Sequence, residues 1–352
     1  MTSIFKYDTS FTLESGVTLP GYHLAYTTHG KLNAEKTNVV WIFHALTANS
    51  NPLEWWPGLV GDGKFFDPAK YFIICVNKPG SPYGSISPLS INPQTNQPYY
   101  HDFPVFTIRD MIKTYQQLKH HLGIRKIFIA LGGSTGGMQL LEWAIEEPEL
   151  FQHIVPIATN AILSPWAIAF NASQRMAIEA DSTWLERRSD AGQKGLAAAR
   201  SIALLSYRHY NGYAITQTRD KSFVALTNDV IYASDNYQRY QGLKLVNRFN
   251  ALCYYRLSQS MDSHDVGWKR ENVENALKKI TAKTLVIGIK SDMLYPITEQ
   301  EYLQKTIGGA ELLNIGSDFG HDGFLLEYEK IETALKKFIE EKSSHHLKVV
   351  NE

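Results

Sequence analysis

Gly132-Gly133-Ser134-Thr135-Gly136 fits G-x-S-x-G, a spacing that presents a serine hydroxyl as a nucleophile. A strand turning sharply into a helix holds such a serine at its apex, and small neighbours keep the turn free of clashes. The apolar run Ile127-Phe128-Ile129-Ala130 precedes it and the helical pattern Leu140-Leu141-Glu142-Trp143 follows it. A serine hydroxyl is a weak nucleophile at neutral pH, so it needs a base, and the base needs an orienting acid. On a strand–turn–helix frame the chain order is Ser, then Asp or Glu, then His. Asp292, in Lys290-Ser291-Asp292-Met293, and His321, in Gly320-His321-Asp322-Gly323, supply that order.

Each residue alone has a plainer reading. The turn could hold an incidental serine, Asp292 could cap the helix ITEQEYLQ, and His321 could be an ordinary loop histidine. In the right order, each just past a strand, the three are expected to form the triad Ser134, His321 and Asp292. An acyl oxyanion needs two backbone N–H donors. Thr135, next after the nucleophile, is expected to give one. Leu46, in the loop His44-Ala45-Leu46-Thr47-Ala48-Asn49, is expected to give the other. His44 precedes Ser134 in the chain, does not fit the base position, and is read as a buttress of that loop.

These residues need a sheet to hold them. Short apolar runs at Val39–Phe43, Tyr71–Val76, Ile127–Leu131, Ile154–Ala158, Thr284–Ile289 and Glu311–Ile315 alternate with helical patterns such as Thr107–Leu122 and Ile331–Glu341. That pattern predicts an α/β fold with a mostly parallel sheet covered on both faces. Leu13–Thr28, broken by Gly16 and Gly21, predicts an antiparallel start. From 164 to 275 no core strand is evident. Lys194–His209 and Tyr240–Ser258 read as single helices. The expected organisation is a core of residues 1–163 and 276–352 with a helical lid inserted at 164–275. The tail beyond Ser343 is expected to fray.

Composition removes other classes. Lys+Arg and Asp+Glu are equal at 35 each, so no field points to nucleic acid or to a charged membrane surface. No apolar window approaches the ~18 residues of a membrane span, and the N-terminus has no basic start with a long apolar stretch. Two cysteines, Cys75 and Cys253, make no disulfide framework and sit in apolar runs as buried thiols. The expectation is a cytoplasmic protein.

Several segments carry a resemblance. HALTANS at 44–50, YGSISPLSINPQTNQPYYHDFPVFTIRDM at 83–111, LGGSTGGMQLLEWA at 131–144, GLAAARSIALLSYR at 195–208, YQGLKLVNRFNALCYY at 240–255, SDMLYP at 291–296 and SDFGHDGFLLE at 317–327 are similar to the homoserine O-acetyltransferase family of the α/β-hydrolase fold. They span most of the chain, including the insertion. The resemblance implies ping-pong acetyl transfer from acetyl-CoA to L-homoserine through an acyl-serine, as a step toward methionine. Acetyl-CoA is then a cosubstrate, with no bound cofactor or metal. It also implies that Arg200 binds the substrate carboxylate, that Tyr207 contacts substrate, that Asp322 holds the substrate ammonium, and that two copies associate through the lid.

The chain departs from the family pattern at three places. Thr135 stands where the family has methionine, Ala48 replaces a glycine in the early loop, and KPGSPYGS replaces LGGCYGS. The last change is expected to put Lys78 and Pro82 near the acyl-CoA entrance. A succinyl donor, a serine acceptor, or a serine esterase of the same fold are the alternatives these departures leave open.

Overall fold

The computed structural model describes residues 2–224 and 229–345. Eight strands form one sheet: β1 (Thr2–Tyr7), β2 (Tyr22–His29), β3 (Val39–Phe43), β4 (Phe72–Val76), β5 (Ile127–Gly133), β6 (Phe151–Ile157), β7 (Lys283–Ile289) and β8 (Glu311–Ile315). Their order across the sheet is β1-β2-β4-β3-β5-β6-β7-β8. β1 and β2 pair antiparallel, β2 is antiparallel to β4, and the remaining neighbours are parallel. This is the α/β fold expected, with one strand, β1, that the sequence pattern did not announce. Only Phe5 of its six residues is buried, so it carries too little apolar pattern to be read.

Alternation along the inner strands divides the core in two. Val39, Trp41 and Phe43 point into one cluster, while Val40 and Ile42 point into the other. The first side is covered by α1 (Ile108–His121) and α2 (Thr135–Glu146), and the second by α9 (Tyr328–His345). Thr107 begins α1 with a capping box shared with Asp110. α9 continues through Ser343 to His345; the rest of the tail expected to fray lies outside the described residues.

The chain leaves the sheet after β6 and returns before β7, carrying α3 (Pro165–Glu179), α4 (Gln193–Tyr207), α5 (Tyr210–Thr216), α6 (Ala233–Val246) and α7 (Ala251–Asp262) between them. It goes out and comes back through a narrow neck. Leu163 N–H donates to the His264 carbonyl at 2.9 Å and Val266 N–H to the Ala161 carbonyl at 3.0 Å. No strand of the main sheet lies in this region among the described residues, but the structure adds a hairpin and corrects one expectation. An antiparallel hairpin, Lys221–Val224 with Asp229–Tyr232, interrupts the helices; strands of 4 residues are too short to stand out by alternation. The stretch Tyr240–Ser258 is not one helix. α6 ends at Val246 with Asn247 as its C-cap, and the Asn250 side chain caps α7 by accepting from Cys253 N–H at 3.1 Å. Among the remaining helices, α8 (Ile297–Thr306) packs against β7.

Candidate active site

β5 ends at Gly133 and α2 begins at Thr135, so Ser134 alone makes the turn. Its backbone has φ 57 and ψ −125, a conformation an L-residue adopts at a cost of about 1–3 kcal/mol. The surrounding glycines allow it. A Cβ on Gly132 would come within 2.5 Å of the Gly136 backbone, and one on Gly136 within 2.3 Å of the Phe43 carbonyl. On Gly133 it would strike the Phe324 ring, and on Gly137 the Thr159 side chain. The helix below Ser134 directs its positive end at the serine.

His321 and Asp292 arrive from the ends of β8 and β7. His321 Nδ1 hydrogen-bonds Asp292 Oδ2 at 2.6 Å. Asp292 Oδ1 accepts from the N–H groups of Leu294 at 2.8 Å and Tyr295 at 2.9 Å. The carboxylate is therefore fixed from both sides, and it selects the tautomer with hydrogen on Nδ1, leaving Nε2 free to accept a proton. Burial alone would lower the His321 pKa, but Asp292, through its charge and its hydrogen bond, and then Asp322 raise it above the ordinary histidine value. The ring is held among Tyr295 at 5.1 Å, Phe324 at 5.4 Å and Tyr207 at 5.6 Å between centroids. Ser134 and His321 share the wall of one cleft of about 450 Å³. No direct hydrogen bond joins them, a common state of a triad before substrate tightens it.

Leu46 is the second residue of the turn closed by Ala48 N–H to the Ala45 carbonyl, 3.2 Å, so the turn does not use the Leu46 N–H. Thr135 is the first residue of α2, and its N–H has no partner within the helix. These are the two donors expected for an oxyanion. His44 buttresses the turn, with Nδ1 donating to the Ala45 carbonyl at 2.8 Å and Nε2 accepting from Lys78 N–H at 3.3 Å. Burial lowers its pKa well below the ordinary value, as this neutral arrangement requires. From the lid side, Arg248 donates to the Thr47 carbonyl and to Tyr83 Oη, the latter at 2.8 Å.

The residues expected to meet an amino acid line the same cleft. Arg200 and Tyr207 come from α4, and the guanidinium carbon lies 5.6 Å from the Tyr207 ring centre. Arg200 makes no ion pair among the described residues. Asp322 lies beside His321 and pairs with Arg208, Nη1 to Oδ2 at 3.3 Å. α4 is seated on this loop: Gly320, at φ +61, passes so close that a Cβ would meet the Tyr207 carbonyl at 2.7 Å.

Lys78 is not at the entrance. It is 2% exposed and lies beneath the turn at Ala45–Ala48, because its ammonium finds acceptors there. Pro82 is the chain neighbour of Tyr83, which lines the cleft. Sequence reasoning passed over Arg208, Arg248 and Tyr295. Arg208 closes the quoted GLAAARSIALLSYR and Arg248 stands in YQGLKLVNRFNALCYY, but nothing in either segment says what the guanidinium reaches. Tyr295 stands in the quoted SDMLYP, and its buried phenol lies against Ser134. Among the described residues no group of three or more His, Cys, Asp or Glu side chains could hold a metal, and no helix is long and apolar enough to cross a membrane.

A family model described as alpha/beta hydrolase fold matches residues 38–328. The homoserine O-acetyltransferase of Cyclobacterium marinum is 48% identical over 335 residues, covering 95% of this chain and 94% of that protein. A crystal structure of homoserine O-acetyltransferase from Bacillus anthracis aligns with a TM-score of 0.88 at 26% identity, covering 96% of this chain and 97% of that one. Esterase E22 aligns with a TM-score of 0.87 at 24% identity over 96% and 99% of the two chains, a likeness of fold alone.

Proposed function

This chain belongs to the homoserine O-acetyltransferase family of the α/β-hydrolase fold and is an acyltransferase, and from that premise we propose that Ser134 carries an acetyl group from acetyl-CoA to the hydroxyl of L-homoserine. Ser134 Oγ attacks the thioester carbonyl while His321 Nε2 takes its proton. The tetrahedral oxyanion is held by the N–H groups of Leu46 and Thr135. Collapse breaks the C–S bond, and the proton on His321 passes to the departing CoA sulfur. The homoserine hydroxyl then attacks acetyl-Ser134, again losing its proton to His321, which returns it to Ser134 Oγ as the O-acetyl ester leaves. Asp292 stabilises the imidazolium in both halves.

The observation that carries this reading is the pair of opposite charges beside the nucleophile. Arg200, which makes no ion pair among the described residues, and Asp322, with one oxygen left over from Arg208, flank the cleft that holds Ser134 and His321. A zwitterionic amino acid needs one cation for its carboxylate and one anion for its ammonium, and a guanidinium suits a carboxylate because two N–H donors fit two oxygens. The Tyr207 ring would fill the space between. Residues 164–275 act as a lid that keeps water from the acyl-serine. Exposed apolar side chains on that lid, Leu205, Tyr210, Ile215 and Leu243, support contact between two copies. The role fits the activation of homoserine for methionine synthesis in the cytoplasm.

The test is release of CoA thiol from acetyl-CoA with and without L-homoserine, for the native chain and Ser134→Ala, with succinyl-CoA and L-serine in parallel. Acceptor-dependent release that is absent in Ser134→Ala, with O-acetylhomoserine found by mass, is the expected result. Release indifferent to the amino acid would make the chain a hydrolase and remove the roles given to Arg200, Tyr207 and Asp322.

A further inference from the structure

Lys78 leaves the end of β4 and turns inward, 2% exposed, under the turn that carries Leu46. Its Nζ donates to the His44 carbonyl at 2.9 Å, the Ala45 carbonyl at 2.9 Å and Thr135 Oγ1 at 3.0 Å. An ammonium has three hydrogens to give, and three acceptors surround it. Among the described residues no carboxylate pairs with it. Taking an ammonium out of water is costly, and filling the space would need only an apolar chain of the same length. What the ammonium adds is a grip on two carbonyls and a hydroxyl.

Two of those acceptors belong to the proposed oxyanion donors, the Ala45 carbonyl through its peptide with Leu46 and the hydroxyl of Thr135 itself. A carbonyl and the next residue's N–H lie in one peptide plane and point in opposite directions. The Ala45 carbonyl accepts from Lys78 Nζ, from His44 Nδ1 and from Ala48 N–H. With that oxygen fixed from behind, the Leu46 N–H is fixed in front, and hydrogen bonds arranged in series polarise one another. The second donor is held in the same way. The Ser134 carbonyl, which shares its plane with the Thr135 N–H, accepts from Thr159 Oγ1 at 3.0 Å, while Lys78 holds the Thr135 side chain. Lys78 thus touches both halves of the pair. It also joins two of the departures from the family pattern, position 78 and position 135, in one hydrogen bond.

We propose that Lys78 is a positioning residue for the oxyanion hole: its ammonium fixes the Ala45–Leu46 peptide and Thr135 so that their N–H groups converge on the acyl oxygen, with a buried positive charge behind them that favours the negative charge developing there. The proposal rests on Ser134 as the acylated nucleophile and not on which acceptor follows. Burial brings the Lys78 pKa down to about 7. The titratable groups facing it are His44, at the end of β3, and Cys75, on β4; burial holds the first neutral and pushes the second up to about 12. Lys78 is therefore the member of this cluster that changes charge near neutrality, and its contribution is lost as pH rises through that value.

The experiment is the burst of nitrophenolate as p-nitrophenyl acetate acetylates Ser134, followed across pH on both sides of neutrality. It compares the native chain, Lys78→Met, Thr135→Val and, as a blank, Ser134→Ala. Lys78→Met is expected to slow acetylation roughly 10–100-fold, less than the roughly 10²–10³-fold loss on removing an oxyanion donor outright, and to abolish the alkaline limb of the native profile. Thr135→Val keeps the shape of the site but takes one acceptor from the ammonium, so the alkaline limb is expected to move to lower pH. If Lys78→Met does not fold, Thr135→Val decides alone. Native rate and native alkaline limb in Lys78→Met, or an unmoved limb in Thr135→Val, would overturn the proposal. A native chain that gives the Ser134-dependent burst but acetylates no amino acid would overturn the transferase reading and leave this comparison intact. Absence of the burst in the native chain would sink both.

Discussion

Asp292 acts on His321 in two ways, by holding its tautomer and by raising its pKa, and the two can be separated. Asp292→Asn keeps the shape but removes the charge, and an amide can turn its NH₂ toward Nδ1 and favour the wrong tautomer. The expected loss in kcat is roughly 10³–10⁴-fold. In the proposed mechanism the neutral imidazole is the base, so activity is expected above the His321 pKa and is lost as pH falls through it. Asp292 and Asp322 lift that value, so the acid limb of the native profile should lie above the ordinary histidine value of about 6.5. In Asp292→Asn burial is opposed only by Asp322, and the limb should move down; a limb that stays in place would show that it reports another group. Arg200→Met is expected to raise KM for homoserine at least tenfold while leaving acetylation of Ser134 by p-nitrophenyl acetate within about twofold, since the guanidinium is read as a contact of the second substrate alone. An equal loss in both steps would give Arg200 a different role. At this scale the sequence was readable where residue type, order and strand end coincide, as they do for Ser134, Asp292 and His321. It was unreadable where the deciding fact is a partner far along the chain. Nothing near Lys78 says that its acceptors are residues 44, 45 and 135.

The turn at Ser134 works because strand and helix come too close for side chains. Gly136→Ala would put a Cβ 2.3 Å from the Phe43 carbonyl, which is backbone at the end of β3 and cannot swing aside. The expected cost is about 1–3 kcal/mol from overpacking, visible as a lower denaturant midpoint, with a fall in activity because β3 leads directly into the oxyanion turn. An unchanged midpoint would mean that β3 and α2 can separate without penalty. The break between α6 and α7 makes a similar point. Apolar periodicity runs on through NRFN, so pattern alone predicts one helix; the Asn250 cap decides otherwise, and caps at interior positions are hard to tell from ordinary polar residues. The break has a use. It frees Arg248 to reach the Thr47 carbonyl and Tyr83, so the turn at residues 45–48 is gripped by the core through Lys78 and by the insertion through Arg248. Asn250→Ala should cost about 1 kcal/mol of stability.

Over the whole molecule, the alternation of buried runs and helical patterns was enough to predict the sheet, because strands covered on both faces are apolar along their length. The edge strand β1 and the hairpin in the insertion escaped notice for the opposite reason: half-exposed or very short strands carry little contrast. Exposed apolar residues cluster on the insertion, with Tyr210 at 83% and Ile215 at 75%. Sedimentation equilibrium should find two copies associated in the native chain and a shift to single copies in Tyr210→Asp. A native chain that sediments as a single copy would leave that face without the partner proposed for it. The neck gives the insertion a different kind of significance. Residues 161–163 and 264–266 are bonded side by side, so the sheet meets the roughly hundred residues between them as little more than a wide hairpin loop. Exchanging one cap for another at such a seam would replace Arg200, Tyr207 and Arg248 together, while Ser134, Asp292, His321 and Asp322 would stay with the sheet.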